Sequence, residues 1–444
     1  PDTRESSEQE AAVTAISERI ETKEGTSQAR STTYGILFLL TGLLVFLLFA
    51  RSTSPGQISA FDLTPRGATP AIPVPPLRLP TRATLYAFAA ICAFVGGWQL
   101  ARGFRQANWA LTGVAIVFIL AFLTWAARGG SLSLVSLLRS SLLRAVPIAL
   151  AALSGVLCER SAVINIAIEG MMLIGAFTAA LMGSVGKNVL EWPFALSQGL
   201  GLLSAVGLGG LLGLFLAVLS VRFKVDQIIS GTAINILGTG VTSFLSARIL
   251  SEFTFLNNPG ILPPVAVPLL SRIPVIGPVV FNQNMLVYAL FLLLLVVHVV
   301  LWHTVWGLRT RSVGEHPRAA DTLGIDVFKN RYINVTAGGM VAGLAGAFLI
   351  LGSVGRFDEL MTAGKGFIGL AAMIFGNWTP FGALGAATIF GFADALQTRL
   401  AILEVNIPSQ FLLMTPYLVT IVVLAGVVGE AQPPAADGEP YEKE

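Results

Sequence analysis

Charged side chains are scarce in this chain of 444 residues: Asp, Glu, Lys and Arg together make up only 12% of it. Soluble proteins carry about twice that fraction. Hydrophobic residues make up 54%, and the mean hydropathy is +0.75. A soluble fold has no interior for so many uninterrupted apolar runs, because a run of about 18 residues is long enough to span a bilayer. The composition therefore predicts a protein that crosses a membrane many times.

The chain also has little with which to bind metals, form disulfide bonds or bind nucleic acid. Its 2 cysteines cannot build a disulfide framework or a four-ligand zinc site. The 3 histidines lack the HExxH spacing of a metal-binding helix. A formal net charge of +3, from 28 basic and 25 acidic residues, leaves no dominant basic face, which argues against nucleic-acid binding.

A phosphate-binding loop is missing as well. The tripeptide at 364–366 reads Gly-Lys-Gly, without the upstream glycine or the following hydroxyl residue of GxxxxGK[ST]. The chain is therefore predicted not to hydrolyse ATP itself. Gly209 with Gly213 and Gly339 with Gly343 have GxxxG spacing, which predicts close helix packing in lipid rather than dinucleotide binding.

Apolar windows recur along the chain between two polar tails. Residues 1–33 contain no apolar core of a signal peptide and are predicted to be a mobile tail, and residues 429–444 form an acidic one. The window 364–378 is short for a hydrocarbon core of about 30 Å, which leaves a half-helix or a re-entrant segment open. The twelve windows are 34–50, 84–101, 108–127, 141–157, 162–185, 196–221, 227–250, 284–306, 332–354, 364–378, 380–399 and 408–428.

Two connections are rich in proline, at 54–80 and at 257–278. Proline lacks a backbone N–H and disfavours both helix and sheet, so the first is predicted to be an extended loop. Short-loop cations predict the orientation. Counting windows by parity puts the basic segments 102–105, 222–224 and 307–331 on one side with both termini, and this side is assigned to the cytoplasm.

The segment 307–331 is a compact polar insertion between two strong apolar windows. Pro317 suits a first helical turn, 318–323 can form a short helix, and Gly324 suits its end. A short helix of this kind serves for docking. The alternative is an ordinary solvated loop with scattered charge.

Four stretches carry a resemblance to a known family. The sequence GLRTRSVGEHPRAADTLGID at 307–326 resembles the cytoplasmic coupling loop of permeases in the ribose and branched-chain amino acid superfamily of ABC importers. The stretches beginning GVLCERSAVINIAIEG at 155, VRFKVDQIISGTAINILG at 221 and GKGFIGLAAMIFGNWTP at 364 are similar to the nucleoside branch of that superfamily, of the guanosine type. The resemblance covers roughly residues 130–430.

The apolar windows predict an all-α integral membrane protein with about twelve transmembrane helices, some of them discontinuous. The resemblance implies a ten-helix core like that of type II ABC importers at 106–428, with an extra N-terminal hairpin at 34–105 and a coupling loop at 307–331. It also implies that the chain is a transport subunit in a bacterial plasma membrane and that it binds no cofactor itself. ATP and Mg²⁺ would be bound by a separate cytoplasmic ATPase, and a second permease chain and an extracytoplasmic substrate-binding lipoprotein would complete the importer. The residues expected to couple to the ATPase are Gly314, Glu315, Pro317, Arg318, Ala319, Ala320, Asp321 and Gly324.

Polar residues inside apolar windows are predicted to line a substrate pathway, because such groups are costly in lipid unless they face water or a partner. Asn165 and Glu169 are four apart and are predicted to share a helix face, with Gly170 able to break that helix. The other predicted pathway residues are Thr232, Asn235, Asp394 and Gln397. Hydrogen bonding between helices is the alternative role for each of them.

Glu159 and Arg160 lie at a predicted cytoplasmic helix end. They are expected to form an ion pair that acts as a gate or contacts the ATPase, with a purely structural pair as the alternative. For the whole chain, the sequence leaves three further possibilities: a permease for simple sugars such as ribose, a transporter driven by Na⁺ or H⁺, and a membrane enzyme. The enzyme is disfavoured because no loop shows paired carboxylates or a nucleophile with a base.

Overall fold

The computed structural model describes residues 31–64, 74–104, 106–402 and 431–443. These residues are mostly helical with few strands, as the sequence predicts, and they form two compact units that divide after Leu134. The prediction began the permease core at residue 106. In the structure, the third apolar window instead packs with the first two, so this helix belongs to the first unit.

The first unit contains three long helices, α1 (Ser31–Ala50), α2 (Thr81–Ala101) and α3 (Ala107–Ala126). Aromatic rings join α1 to α3, with Phe49 stacked on Trp125 at a centroid distance of 5.2 Å.

A small sheet in the first unit corrects the prediction for the first Pro-rich connection. Strand β1 (Ile58–Asp62) pairs antiparallel with β2 (Leu77–Pro80) and parallel with β3 (Ser131–Ser133). The prediction of a loop without sheet was wrong because the residues of β1 include no proline. Pro80 is the last residue of β2, at the end of a strand, where a missing N–H is tolerated.

The second unit contains the remaining elements, and several of its helices begin at a side chain that caps their first turn. Asp226 accepts hydrogen bonds from two backbone N–H groups of α7, and Asn284, Thr304 and Asp326 cap α9, α10 and α12. The helices are α4 (Leu134–Glu159), α5 (Ile168–Asn188), α6 (Phe194–Arg222), α7 (Gln227–Leu250), α8 (Ile276–Val280), α9 (Met285–His303), α10 (Val305–Glu315), α11 (Pro317–Thr322), α12 (Val327–Val354), α13 (Lys365–Phe375) and α14 (Pro380–Ile402). Strands β4 (Pro264–Ala266) and β5 (Asn282–Asn284) pair antiparallel beside α8.

Within the described ranges, 9 helices are long and apolar enough to cross a membrane: α1 to α7, α9 and α12. Helix α14 has 23 residues and carries Asp394 and Arg399. The predicted span at 408–428 lies outside the described residues. The total of twelve spans therefore stays a prediction.

Helices α5, α6 and α12 pack most closely, and glycines make this possible. A Cβ added to Gly213 would lie 2.6 Å from the carbonyl oxygen of Val335, and one added to Gly209 would lie 2.7 Å from the Cα of Gly343. The two GxxxG pairs therefore face each other across the α6–α12 contact. The predicted packing role of these glycines is confirmed.

The segment from α12 to α14 crosses the unit as an irregular stretch followed by a half-helix. Phe357 packs edge-on against Phe177 in the middle of α5, and Gly364 then meets Glu169 at the start of α5. Helix α13 and the turn after it lead from there to Trp378, which contacts Glu159 at the end of α4. With 11 residues, α13 is about 16 Å long, roughly half of a bilayer core. The short window at 364–378 is thus a half-helix.

The tail at 431–443 lies on the same side of the second unit as α10 and α11. It hydrogen-bonds to Glu315 and Asp321 of these helices, and Lys224 in the turn between α6 and α7 pairs with Glu442. The basic segments 222–224 and 307–331 therefore share one side with this tail, as the parity of the windows predicts.

Candidate functional site

A break in the chain between α4 and α5 holds the first group of predicted pathway residues. Helix α4 ends at Glu159, Ala162 adopts a φ of +62°, and α5 begins only at Ile168. Asn165 is fully buried in this break, with its Nδ2 3.4 Å from Cys158 Sγ and 3.5 Å from Ser154 Oγ.

The predicted pairing of Asn165 with Glu169 on one helix face is wrong, because Asn165 precedes the helix. The prediction that Gly170 breaks the helix is also wrong. Gly170 lies inside α5, where a Cβ would come within 2.7 Å of the carbonyl oxygen of Ile234. Its role is to let α7 approach α5.

Glu169 caps the half-helix. Its two carboxylate oxygens accept hydrogen bonds from the backbone N–H groups of Gly364, at 2.8 Å, and Gly366, at 2.6 Å. These N–H groups lie at the start of α13, where the helix dipole favours a negative charge. A carboxylate in α5 therefore fixes where the irregular stretch ends and α13 begins.

Asn235 links α7 to the same break. Its Nδ2 donates to the carbonyl of Ile166 at 2.8 Å, and its Oδ1 accepts from the N–H of Gly170 at 2.7 Å. Thr232 does not join this contact, because it is exposed and donates to Ile228 in its own helix. The predicted polar stripe on α7 thus reduces to Asn235, which satisfies backbone groups that the break leaves without helical partners.

A second polar group brings α4, α13 and α14 together. Arg144 Nη1 and Asp394 Oδ2 form an ion pair at 2.7 Å, and Arg144 Nη2 donates to Thr398 Oγ1 at 3.0 Å. Lys365, the first residue of α13, is acted on by the charges of Asp394 and Glu169. Gln397 is half-buried one turn beyond Asp394.

The end of α4 contacts the loop between α13 and α14. Glu159 Oε2 accepts a 2.5 Å hydrogen bond from the indole N–H of Trp378. Arg160 donates to the carbonyls of Trp378, at 3.0 Å, and Asn377, at 3.2 Å, and burial lowers the pKa of its guanidinium. Glu159 and Arg160 therefore both bind residues 377–378, and the predicted ion pair between them is wrong. Asn377 and Trp378 both have φ of +51°, a strained backbone held by these contacts.

Two short helices form the predicted coupling segment. Pro317 is the first residue of α11, and Gly324, with φ of +80°, follows its end, as predicted. Helix α10 before it was not predicted. Gly314 and Ala320 are buried, whereas Leu308 is 58% and Leu323 81% exposed. The residues predicted for coupling thus lie on a helix pair that has one packed face and one exposed face.

Sequence reasoning missed several members of these clusters. Arg144 falls in the window 141–157 and is not among the predicted pathway residues, although it lies inside the 26 residues of α4. Lys365 was considered only as part of a failed phosphate loop, and Trp378 was not singled out. The available signal was position: an Arg well inside a long apolar helix and a Lys at the start of a short one each need a partner.

Among the described residues, no cluster of His, Cys, Asp and Glu could hold a metal ion. The clusters instead describe a helix bundle with one broken crossing, charged groups within its membrane segments, and a pair of short helices at one end. This is the architecture of a membrane permease. The chain belongs to the family described as Branched-chain amino acid transport system / permease component, which matches residues 137–425.

Three relatives show where in this family the chain lies. The guanosine ABC transporter permease protein NupQ of Bacillus subtilis is 41% identical over 310 residues, which cover 68% of this chain and 95% of NupQ. The nucleoside ABC transporter permease protein NupC of Lactococcus lactis is 37% identical over 309 residues, with the same coverage of 68% and 95%. A second guanosine permease protein of Bacillus subtilis, NupP, is 24% identical over 286 residues, covering 63% of this chain and 77% of NupP. No solved structure matches the chain.

Proposed function

We propose that this chain is the membrane-spanning subunit of an ATP-driven importer for nucleosides, with guanosine as the first candidate substrate. The observation that carries the proposal is the helix pair α10–α11, which has one exposed face and packs with the buried Gly314 against Arg160 at the end of α4. An ATPase that binds the exposed face of α10 and α11 can therefore move the contacts at the end of α4. The nucleoside assignment is supported by NupQ and NupC, whose names state a guanosine and a nucleoside permease.

The partners follow from the same reasoning. The side that carries α10, α11 and the tail faces the cytoplasm, where an ATPase binds ATP and Mg²⁺. A second permease chain completes the pathway, and two different guanosine permeases in one organism, NupQ and NupP, support a heterodimer. A binding lipoprotein delivers the nucleoside to the opposite face of a bacterial plasma membrane.

The pathway passes the Arg144–Asp394 pair. Their side chains are 35% and 27% exposed in the isolated chain, although both lie on membrane helices. A charged pair facing lipid costs several kcal/mol, so this face meets water or the second permease chain. Lys365 and Gln397 border the same face. Together, these groups offer hydrogen-bond donors and acceptors to ribose hydroxyls and to the edge of a base.

Asn165, Glu169 and Asn235 act differently in this proposal. Their polar groups are turned toward the break and the start of α13, so they position the discontinuous elements rather than bind the nucleoside. Weak substrate contacts suit a pathway, because a solute held tightly in both the outward-open and inward-open states could not leave.

Reconstitution tests the proposal directly. Liposomes that contain this chain, its partner permease and the ATPase, supplied with the binding lipoprotein, are expected to accumulate guanosine only with ATP. Adenosine, a pyrimidine nucleoside and ribose serve as competitors. If ribose competes and the nucleosides do not, the chain belongs to a sugar importer instead. Accumulation by the chain alone, driven by a Na⁺ or H⁺ gradient, would contradict the ATP-driven assignment.

A further inference from the structure

The C-terminal tail at 431–443 is anchored first on the coupling helices. The N–H of Ala436 donates to the carbonyl of Gly314 at 3.0 Å, and the N–H of Ala435 donates to Glu315 Oε2 at 3.2 Å. The hydroxyl of Tyr441 donates to Asp321 Oδ2 at 2.8 Å. These bonds attach the middle of the tail to α10 and its C-terminal part to α11.

The ring of Tyr441 strengthens this anchor. It is 7% exposed and packs with Val313, Ala320 and Val327, and its centroid lies 5.4 Å from that of Phe328. A chain end normally frays unless something holds it. Burial of an aromatic ring whose hydroxyl is hydrogen-bonded offsets the conformational entropy that is lost when such a segment is ordered.

The second anchor lies at the end of the pathway. The N–H of Gln432 donates to Asn377 Oδ1 at 3.0 Å, next to the Trp378 that binds Glu159. The carboxyl groups of Asp437 and Glu159 lie within each other's electrostatic field. Arg331, which is 1% exposed, donates from Nη1 to the carbonyl of Glu439 at 3.0 Å.

The tail therefore contacts both groups of residues that an importer must move together. One group is the helix pair on which a motor acts, and the other is the end of α4 with residues 377–378 and Arg331 of α12. Coupling between two sites requires a physical connection that favours the same state at both. Besides the direct packing of Gly314 against Arg160, the tail is such a connection.

We propose that residues 431–443 are a mechanical link that transmits the movement of α10 and α11 to the Glu159 end of the pathway. This inference rests on the proposed function, because it assigns a role within the same import cycle. Tyr441 is then a positioning residue that touches no substrate. Its loss should separate ATP hydrolysis from import without stopping hydrolysis.

The test uses Tyr441→Ala in the complete reconstituted importer, with Tyr441→Phe as the conservative variant. Gln432→Ala is the matched control, since Gln432 is exposed and uses its backbone N–H for the tail contact. We expect ATP hydrolysis to be retained in Tyr441→Ala, while guanosine imported per ATP falls about tenfold, within the usual range of coupling between sites. Tyr441→Phe should fall less, and Gln432→Ala should match the unmodified complex. An unchanged ratio, or a parallel loss of hydrolysis and import, overturns the inference.

A second measurement does not depend on the substrate. Hydrogen–deuterium exchange of residues 160–167 in the purified chain should rise in Tyr441→Ala, although the substitution lies at the other end of the link. Equal exchange in Tyr441→Ala and Gln432→Ala would contradict transmission through the tail. Failure of the unmodified complex to import guanosine would contradict the proposed function alone, because the exchange result stands without it.

Discussion

Raising the pH should loosen the C-terminal tail, because of Asp437. Burial raises the pKa of this carboxyl from 3.8 to about 6. The charge of Arg331 partly offsets the effect of burial, and Glu159 and the Cys158 thiol also lie within the field of Asp437. The docked tail binds the proton of Asp437 more tightly than the released tail. The contribution of Asp437 to docking is therefore greatest below about pH 4 and falls as the pH rises toward 6, while Lys224, which lowers the pKa of Glu442, acts in the opposite direction.

The size of the effect follows from the shift. The pKa of Asp437 is about 6 in the docked tail and 3.8 in the free tail, a difference of about 2.2. Because a pKa difference of one corresponds to about 1.36 kcal/mol, ionisation of Asp437 can weaken docking by up to about 3 kcal/mol. This corresponds to a change of up to roughly 150-fold in the docking equilibrium between about pH 4 and pH 7. Above about pH 7 the contribution of Asp437 stays constant, because the carboxylate is then ionised whether the tail is docked or free.

A nitroxide label reports docking without altering these groups. It is attached at Gln432→Cys, and the native Cys92 and Cys158 are both buried. We expect the mobile fraction of the label to grow as the pH rises from 4.5 to 7.5. In the Asp437→Asn chain, which has no carboxyl to ionise, the growth should be much smaller. The same curve in both chains, or a tail that tightens as the pH rises, would refute the reasoning.

Three further predictions concern the pathway and the coupling helices. Glu169→Gln should destabilise the start of α13 by about 2 kcal/mol, because the amide carries no charge and keeps only one of the two oxygens that accept backbone N–H bonds, and exchange of the first turn of α13 measures it. Asp394→Arg should lower import, and the double variant Arg144→Asp with Asp394→Arg, in which the two charges are exchanged, should restore most of it. The coupling energy between the two positions should be about 1–2 kcal/mol for a pair that is one-third exposed. Equal defects in the single and the double variant would remove the pair from the pathway. Arg318→Glu, on the exposed face of α11, should abolish the ATPase activity stimulated by the binding lipoprotein without unfolding the chain, and normal stimulation would argue against docking there.

Local rules predicted a good part of this fold. The spacing of Gly209 and Gly213 determines which side of a helix they occupy, and that side does face the other GxxxG pair. Pro317 and Gly324 fixed the bounds of α11 within a residue or two, because a first-turn proline and a left-handed glycine act on their own backbone.

The candidate site was harder, because its partners are distant in sequence. Glu169 meets the backbone of Gly364, 195 residues away, and nothing in the spacing around Glu169 indicates a capping role. Arg144 and Asp394 are 250 residues apart, and only folding brings α4 and α14 together. The segment 429–444 is predicted only as an acidic tail, because its composition does not reveal that Tyr441 and Asp437 fit onto the coupling helices.

The account depends most on the claim that an external ATPase drives transport through α10 and α11. The direct measurement is guanosine uptake into liposomes that hold the complete complex, with ATP or with a non-hydrolysable analogue inside. The account predicts accumulation against a gradient with ATP, none with the analogue, and none when Arg318→Glu replaces the native chain. Equal accumulation under all three conditions would contradict it.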